Sequence, residues 1–113
     1  MHLKLYKKLI ILIIYMEFTK PDIKGFTVYS KSGCPNCTIV KKLIKEKHFL
    51  TNEINCDEYI LEDKDGFLMF IEELAERSHK TFPIVFHDGK FIGGLADTTE
   101  FIDKLLLSFE ENF

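Results

Sequence analysis

The chain has 113 residues, of which 46% are hydrophobic, 13% aromatic and 29% charged, a composition typical of one globular domain and not of a disordered protein. Its 15 basic and 18 acidic residues leave a formal net charge of −3, which argues against a long nucleic-acid-binding surface. Three cysteines are too few, and odd in number, for the disulfide scaffold of a small secreted protein.

Residues 1–24 are predicted to be an extension of uncertain role, ahead of a domain that spans residues 25–113. Five lysines against two acidic residues make the extension basic, and residues 9–16 are an uninterrupted apolar run. Eight residues cannot span a bilayer, which needs about 20 in a helix. Lysines before a short apolar run resemble a signal peptide, but no small-residue cleavage site follows. The alternatives left open are an extra packed strand or helix, a poorly ordered tail, a natural start at Met16, and export or membrane association through residues 1–16.

The first half of the domain is predicted to alternate strand, helix and strand. Residues 26–29 are β-branched and aromatic, as in a buried strand, and a turn-rich stretch follows at 30–33. A helix is predicted from Cys34 to about His48, because proline is favoured in a first helical turn and apolar residues then recur at helical spacing. Residues 50–56 alternate apolar and polar side chains, which predicts a second strand. The apolar face of the helix consists of Ile39, Val40, Leu43 and Ile44.

The second half is predicted to add a helix, a hairpin and a last helix. Residues 58–66 are acidic and are predicted to be irregular, whereas 67–75 form an amphipathic helix. Strands at 83–87 and 90–92 are joined by Asp88-Gly89, a strong hairpin signal. The inward face of the last helix is predicted to carry Phe101, Ile102, Leu105, Leu106 and Phe109. The resulting order, β-α-β-α-β-β-α, predicts an α/β fold with a mixed sheet.

The motif Cys34-Pro35-Asn36-Cys37 is the feature that predicts chemistry, because it follows a strand and begins a helix. The unpaired amides and positive dipole of a helix N-terminus stabilise a thiolate at Cys34. Lys31 adds a nearby positive charge, so the pKa of Cys34 is expected to fall below its ordinary value of about 8.5. Cys37 lies one helical turn further on, where its thiol can attack a mixed disulfide formed at Cys34. Redox use of the pair is therefore predicted.

The cysteine pair has two other interpretations. A C-x-x-C pair is half of many zinc sites, but Cys56 stands alone and no two histidines have zinc-ligand spacing. No metal site is therefore predicted. A purely structural pair is the second alternative. Cys56 is predicted to be a buried, inert thiol, and a regulatory or dimer-forming role is its alternative.

Three separated motifs resemble those of the dithiol glutaredoxins, small thioredoxin-fold proteins that use glutathione. Residues 29–37 (YSKSGCPNC) are similar to the family's S-K-x-x-C-P-Y-C, 80–83 (KTFP) to R-T-V-P, and 88–97 (DGKFIGGLAD) to D-G-x-x-I-G-G-x-x-D. The resemblance covers about residues 25–109. It implies a thioredoxin-like fold, with a mixed four-stranded sheet flanked by helices, and a redox disulfide between Cys34 and Cys37.

The resemblance also implies where one half of glutathione binds. Lys31 and Lys80 stand where the family meets the glycine carboxylate, and His79 stands where glutamine is common. A cation facing a carboxylate is sound chemistry. The backbone of Phe82, before a Pro83 that is cis in the family, is implied to pair with the cysteinyl part of glutathione like an added strand.

The other half of glutathione is implied to bind at the last motif. Asp97 would receive the ammonium of the γ-glutamyl end, and Gly93 and Gly94 would let the backbone approach closely. Two residues depart from the family pattern: Asn36 replaces the usual tyrosine, and Ala96 replaces a common serine or aspartate. The second change leaves only backbone contacts there, so a weaker affinity for glutathione is expected.

The implied activity is thiol–disulfide exchange, in which Cys34 attacks a disulfide-bonded or glutathionylated protein. Glutathione then releases the mixed disulfide, or Cys37 resolves it. Such chemistry needs a reducing compartment, so a cytoplasmic location is expected, along with a monomer that binds neither nucleic acid nor membrane. Glutathione is the expected cosubstrate.

Two other functions stay open. One is a thioredoxin-like electron donor, for example to ribonucleotide reductase, recharged by a flavin reductase; Lys31, Lys80 and Asp97 argue against it. The other is an iron–sulfur carrier that binds a glutathione-ligated cluster between two subunits, which Pro35 disfavours by analogy with the family.

Overall fold

A computed structural model of the chain describes residues 18–111. In chain order the elements are β1 (Phe26–Ser30), α1 (Pro35–Glu46), β2 (Thr51–Asn55), α2 (Asp57–Ala75), β3 (Ile84–His87), β4 (Lys90–Gly93) and α3 (Leu95–Glu111). The sheet order is β2-β1-β3-β4. β1 is parallel to β2 and antiparallel to β3, and β3 is antiparallel to β4. The predicted element order and the mixed four-stranded sheet are therefore confirmed.

β1 is one of the two inner strands, and all five of its residues are buried. Its side chains alternate between the two faces of the sheet, as a pleated strand requires. Phe26 and Val28 pack towards α1 and α3, whereas Tyr29 packs towards α2. β3 repeats the alternation, with Val85 on the first face and Ile84 on the second.

Two apolar clusters hold the three layers together. The cluster between the sheet and the helices α1 and α3 is built from Phe26, Val28, Val40, Ile44, Val85 and Ile102. The cluster between the sheet and α2 is built from Phe18, Tyr29, Cys56, Phe67, Phe70, Ile71, Ile84 and Phe86. Among the helices that the structure describes, α2 packs on one face of the sheet, together with Phe18, and α1 and α3 share the other face.

Part of the predicted extension packs on the domain. Phe18 is only 6% exposed, and its ring lies edge-on to the rings of Tyr59 and Phe67, with centroids 5.0 and 5.5 Å away. The Tyr29 hydroxyl donates to the Thr19 carbonyl at 2.6 Å. The alternatives proposed for residues 1–17, including the basic and apolar segment, lie outside the described residues.

The prediction of an irregular stretch over 58–66 is wrong, because helix α2 begins at Asp57. The helix is kinked at Asp63, whose φ of −157° and ψ of 71° are not helical. The side chain of Asp63 accepts a hydrogen bond from the Gly66 amide at 3.0 Å, as an N-cap does for the third residue of a new helix. α2 is therefore two helical segments joined at a capped kink.

Two residues assigned to apolar helix faces are half exposed, Ile39 in α1 and Phe109 in α3. The buried residues of α1 are Cys37, Val40 and Ile44, and their spacing turns Ile39 away from the sheet. Between residues 18 and 111, no helix has the length and apolar character needed to cross a bilayer.

Candidate active site

The carboxyl ends of β1 and β2 and the start of β3 meet at one edge of the sheet. Ser30 pairs with Asn55 across the parallel strands, and Tyr29 pairs with Ile84 across the antiparallel ones. The three segments that continue from this edge are the loop before α1, the start of α2 and the residues before β3. The topology therefore brings the cysteine motif and the predicted cis-proline motif together.

Cys34 and Cys37 form a disulfide, with their Cα atoms 5.3 Å apart. Cys34 is the N-cap of α1, and its carbonyl accepts hydrogen bonds from the amides of Cys37 and Thr38 at 3.1 and 3.3 Å. The Cys37 amide also points at the Cys34 sulfur, 3.2 Å away. Pro35 occupies the first helical position, where the missing N–H costs nothing.

The two cysteines differ in exposure. Cys37 is 1% exposed, whereas Cys34 is partly open to solvent. A substrate sulfur can therefore reach Cys34 first, and Cys37 can reach only a group already attached there. This is the asymmetry that a nucleophile and a resolving thiol require.

The loop before Cys34 is tied to the start of α2 by Asp57. The carboxylate of Asp57 accepts a hydrogen bond from the Ser32 amide at 2.8 Å and another from the Ser32 hydroxyl. The Asp57 amide donates to the Asn55 side chain at 2.8 Å. The hydrogen bonds from Ser32 hold the pKa of Asp57 below its ordinary range, since they stabilise the ionised carboxylate.

A groove of about 700 Å³ lies beside the disulfide. It holds four of the predicted glutathione-binding residues: Phe82, Pro83, Gly94 and Asp97. The peptide bond before Pro83 is cis, as the family resemblance implies. The groove is lined by Asn36, His79, Thr81, Phe82, Pro83, Gly94, Leu95, Ala96, Asp97, Thr99, Glu100 and Asp103.

Close backbone packing positions the segments that border this groove. Gly93 is buried at a φ of +138°, and a Cβ there would lie 2.8 Å from the Cβ of Asp97, so only glycine fits. The His79 ring nitrogen Nε2 lies 3.4 Å from the Pro83 carbonyl oxygen. A Cβ at Gly94 would lie 3.7 Å from the Pro83 carbonyl oxygen and 3.8 Å from His79 Cε1. The loop before β3 therefore lies close to the residue that precedes α3.

The two predicted lysines are placed differently. The ammonium of Lys31 lies 5.5 Å from the centroid of the Phe82 ring, so it stands next to the groove without lining it. Lys80 is exposed between two groove residues, His79 and Thr81. The structure thus brings Lys31 to the groove through Phe82, and leaves Lys80 at its rim.

Sequence reasoning missed the acidic wall of the groove. Asp97, Glu100 and Asp103 all line it from α3. Their spacing of three residues places them on one side of a helix, and that spacing was the signal available in the sequence. Three carboxylates on one wall favour a positively charged ligand group at that end.

The third cysteine does not take part in this site. Cys56 is fully buried, and burial raises the pKa of its thiol to about 12. A thiol that stays protonated at neutral pH is a poor nucleophile. Among the side chains of residues 18–111, no three His, Cys, Asp or Glu residues are grouped so that they could hold a metal ion.

The part of the chain that contains both motifs matches a known protein family. The sequence model of the Glutaredoxin family matches residues 26–92, more than half of the chain. The match includes the cysteine motif and the cis-proline motif, and it ends before Gly94 and Asp97.

Individual relatives agree with the family match. A glutaredoxin-like protein NrdH of Lactococcus lactis is 36% identical over 62 residues, which are 55% of this chain and 75% of the relative. Glutaredoxin 1 of Rickettsia typhi is 27% identical over 98 residues, 82% of this chain and 89% of the relative. A crystal structure of a buckwheat glutaredoxin–glutathione complex superposes with a TM-score of 0.60 at 25% identity, covering 82% of this chain and 78% of that one.

Proposed function

Because the chain belongs to the glutaredoxin family, and is therefore a thiol–disulfide oxidoreductase with a thioredoxin-like fold, we propose that it uses glutathione to reduce protein disulfides and glutathione mixed disulfides. The observation that carries the proposal is the pairing of a solvent-accessible Cys34 with a buried Cys37 beside the groove. The groove residues Phe82, Pro83, Gly94 and Asp97 support glutathione as the partner.

The reduced form is expected to carry a thiolate at Cys34. The Cys37 amide already points at that sulfur, and an N–H donated to the charged form stabilises it. The positive end of the α1 dipole acts in the same direction. Together they should lower the pKa of Cys34 below its ordinary value of about 8.5, which makes the thiolate available at neutral pH.

The exchange then proceeds in two steps. The Cys34 thiolate attacks one sulfur of the substrate disulfide, a new S–S bond forms, and the other substrate sulfur leaves as a thiolate that takes up a proton. In the second step, the Cys37 thiolate attacks the Cys34 sulfur, the Cys34–Cys37 disulfide forms, and the substrate leaves as a thiolate that takes up a proton. In the route that needs Cys34 alone, the first step leaves glutathione bonded to Cys34. A second glutathione thiolate then attacks the glutathione sulfur, which forms glutathione disulfide and restores the Cys34 thiolate. When Cys37 acts, two molecules of glutathione supply the two electrons that reduce the Cys34–Cys37 disulfide again.

We propose that glutathione lies along the groove with its γ-glutamyl end at α3 and its glycine end at Lys31. Its γ-glutamyl ammonium faces Asp97 at the acidic wall, and its cysteinyl backbone pairs with Phe82. Its glycine carboxylate faces Lys31, with Lys80 at the rim. The proximity of the Lys31 ammonium to the Phe82 ring supports this order, because adjacent residues of an extended peptide lie about 3.5 Å apart.

A second candidate is an electron donor recharged by a flavin reductase instead of glutathione. It is favoured by one observation, the 36% identity to the glutaredoxin-like protein NrdH of Lactococcus lactis. Either function requires a reducing compartment, and we propose the cytoplasm for both.

The deciding experiment is glutathione-coupled reduction of a small glutathione mixed disulfide. Wild type and Cys37→Ser should turn over, since release by glutathione needs Cys34 alone, and Cys34→Ser should fall to the uncatalysed rate. Cys56→Ala is the control, because it removes the thiol that lies outside the site. Wild-type protein that fails with glutathione but turns over with a flavin-dependent thioredoxin reductase would establish the second candidate instead.

A further inference from the structure

A second depression lies next to Lys31 and shares no lining residue with the groove. It has a volume of about 410 Å³ and is lined by Lys31, Ser32, Asp57, Ile60 and Leu61. We call it the Leu61 notch. Two of its residues belong to the loop that leads into Cys34, and the other three belong to the first turns of α2. The Leu61 notch therefore borders the redox centre without being part of the glutathione groove.

Leu61 gives the notch an apolar surface that is not buried in the core of the domain. Leu61 is 86% exposed, although its neighbour Ile60 packs against the apolar cluster under α2. A single exposed leucine is ordinary on a protein surface. This one differs because it stands beside the active-site loop and shares a depression with a lysine assigned to substrate binding.

We propose that the Leu61 notch receives an apolar side chain of a protein substrate, located two residues after the cysteine that reacts with Cys34. The residue between them carries the carboxylate that meets Lys31. The occupant is thus an extended segment of the form cysteine, aspartate or glutamate, then a large aliphatic residue. This inference rests on the proposed function, since it uses the direction in which glutathione lies.

The direction of the bound chain gives the first argument. Glutathione ends at its glycine carboxylate, which the proposed function places at Lys31. A polypeptide in the same groove does not end there, and each further residue advances it by about 3.5 Å. Since Lys31 lines the Leu61 notch and also lies over Phe82, the chain that passes Lys31 enters the notch.

Charge gives the second argument. The carboxylate of Asp57 already accepts two hydrogen bonds from Ser32, so it is engaged in holding the loop. The ammonium of Lys31 has the Phe82 ring beneath it, and an aromatic face does not neutralise a cation as a carboxylate does. A substrate carboxylate next to the aliphatic side chain therefore complements the site, whereas a basic residue there would not.

The notch should therefore affect polypeptide substrates and leave the binding of glutathione unchanged. Glutathione ends at Lys31, so it does not extend to Leu61. A polypeptide reaches both the groove and the notch, and covering Leu61 adds apolar contact. Leu61 thereby distinguishes peptide disulfides by the residue two positions after their cysteine.

The test compares two peptides in single turnover. One contains Cys-Glu-Leu and the other Cys-Glu-Ser, each as a mixed disulfide with a chromogenic aromatic thiol. When the Cys34 thiolate of the reduced protein attacks the peptide sulfur, the aromatic thiolate leaves and is measured. We expect wild type to react about fivefold faster with the leucine peptide, the gain for covering part of an aliphatic side chain.

The variants assign that preference to the notch. Leu61→Gln, which keeps helix propensity without adding charge, should react equally with both peptides, and Leu61→Met should retain the preference. Leu107→Gln is the matched control, because Leu107 is an exposed leucine of α3 outside the notch, and it should behave as wild type. Equal wild-type rates for the two peptides, or a preference that survives Leu61→Gln, would overturn the proposal.

The notch and the use of glutathione are tested by separate measurements, so either proposal can be wrong without the other. The single-turnover reaction uses no glutathione, so it tests the notch whatever reductant recharges the protein. Glutathione-coupled turnover of wild type tests the proposed function. A leucine preference in a protein that glutathione does not recharge would support the notch and count against glutathione alone.

Discussion

At the scale of single residues, Asp57 is the side chain that ties the active-site loop to α2. Its pKa is lowered by the hydrogen bonds from Ser32, from an ordinary value of about 3.9. A carboxylate with a lowered pKa stabilises the folded state at pH values above its unfolded pKa, and this contribution is lost as the pH falls through the folded pKa. The difference in free energy of unfolding between wild type and Asp57→Asn should therefore be constant from pH 7 to about 5 and shrink below about pH 4.

Urea denaturation at pH 7, 5 and 3 measures this difference. Asp65→Asn, at an exposed position of the same helix, controls for the loss of one negative charge. If the difference between wild type and Asp57→Asn were as large at pH 3 as at pH 7, the hydrogen bonds from Ser32 would not depend on the ionised carboxylate.

A second residue-scale prediction concerns the acidic wall. Asp97→Asn removes the carboxylate assigned to the ammonium of glutathione, and should raise KM for a glutathione mixed disulfide about tenfold with little change in kcat, since a charge-assisted hydrogen bond is lost. Asp103→Asn removes the same charge six residues later in α3 and should have a smaller effect. Equal increases in KM for both variants would mean that the wall acts through its total charge and not through one contact.

The residues that sequence reasoning found and missed differ in a physical way. Phe82 and Asp97 belong to local motifs, so their positions relative to the groove follow from short stretches of chain. The contact between Ser32 and Asp57 joins positions 25 residues apart, and no local pattern predicts it. Glu100 and Asp103 line the groove only because of the side that α3 turns towards it, which depends on packing.

At the scale of elements, α2 is the helix whose beginning was not predicted from the spacing of apolar residues. The helices and strands with regular apolar spacing were predicted close to their observed bounds. The first segment of α2 was not, because its acidic residues and Gly66 interrupt the apolar pattern. A tertiary contact stabilises this segment, because Tyr59 packs edge-on against Phe18 with ring centroids 5.0 Å apart. The kink that ends the segment is capped by the side chain of Asp63.

That cap leads to an element-scale prediction. Asp63→Ala removes the acceptor of the Gly66 amide and should lower the free energy of unfolding by about 1 kcal/mol, the usual value of an N-cap. Asp63→Asn keeps an acceptor at the same position and should lose less. Urea denaturation of the two variants at pH 7 measures both values, and an Asp63→Ala variant as stable as wild type would show that the side chain does not cap the second segment.

At the scale of the whole molecule, the segment before Gly25 contributes to the core of the domain. Phe18 fills a position among Tyr59, Phe67 and Phe70. Phe18→Ala should therefore lower the free energy of unfolding by about 3 kcal/mol, the lower end for truncation of a buried phenylalanine. Phe18→Leu should cost clearly less, because most of the volume is retained.

Thermal or urea denaturation of the full chain distinguishes these outcomes. A loss below about 0.5 kcal/mol for Phe18→Ala, the range of surface substitutions, would mean that the segment does not contribute to the core. Packing of the extension on the domain was one of the alternatives left open, but the sequence does not single out Phe18, since one aromatic residue in a polar stretch has no periodic partners. The element order and the mixed character of the sheet were predicted from the alternation of strands and helices. The strand order β2-β1-β3-β4, with β3 antiparallel to β1, was not.

The inner position of β1 has a consequence for the chain while it is being made. Its partner β3 begins 54 residues after β1 ends, which corresponds to about 3 to 10 s of translation at ordinary rates. Once β2 has been made, β1 has β2 on one side and an open edge on the other, and such edges recruit other strands. The half-synthesised chain is therefore more prone to aggregate than the complete domain, in which β3 covers that edge.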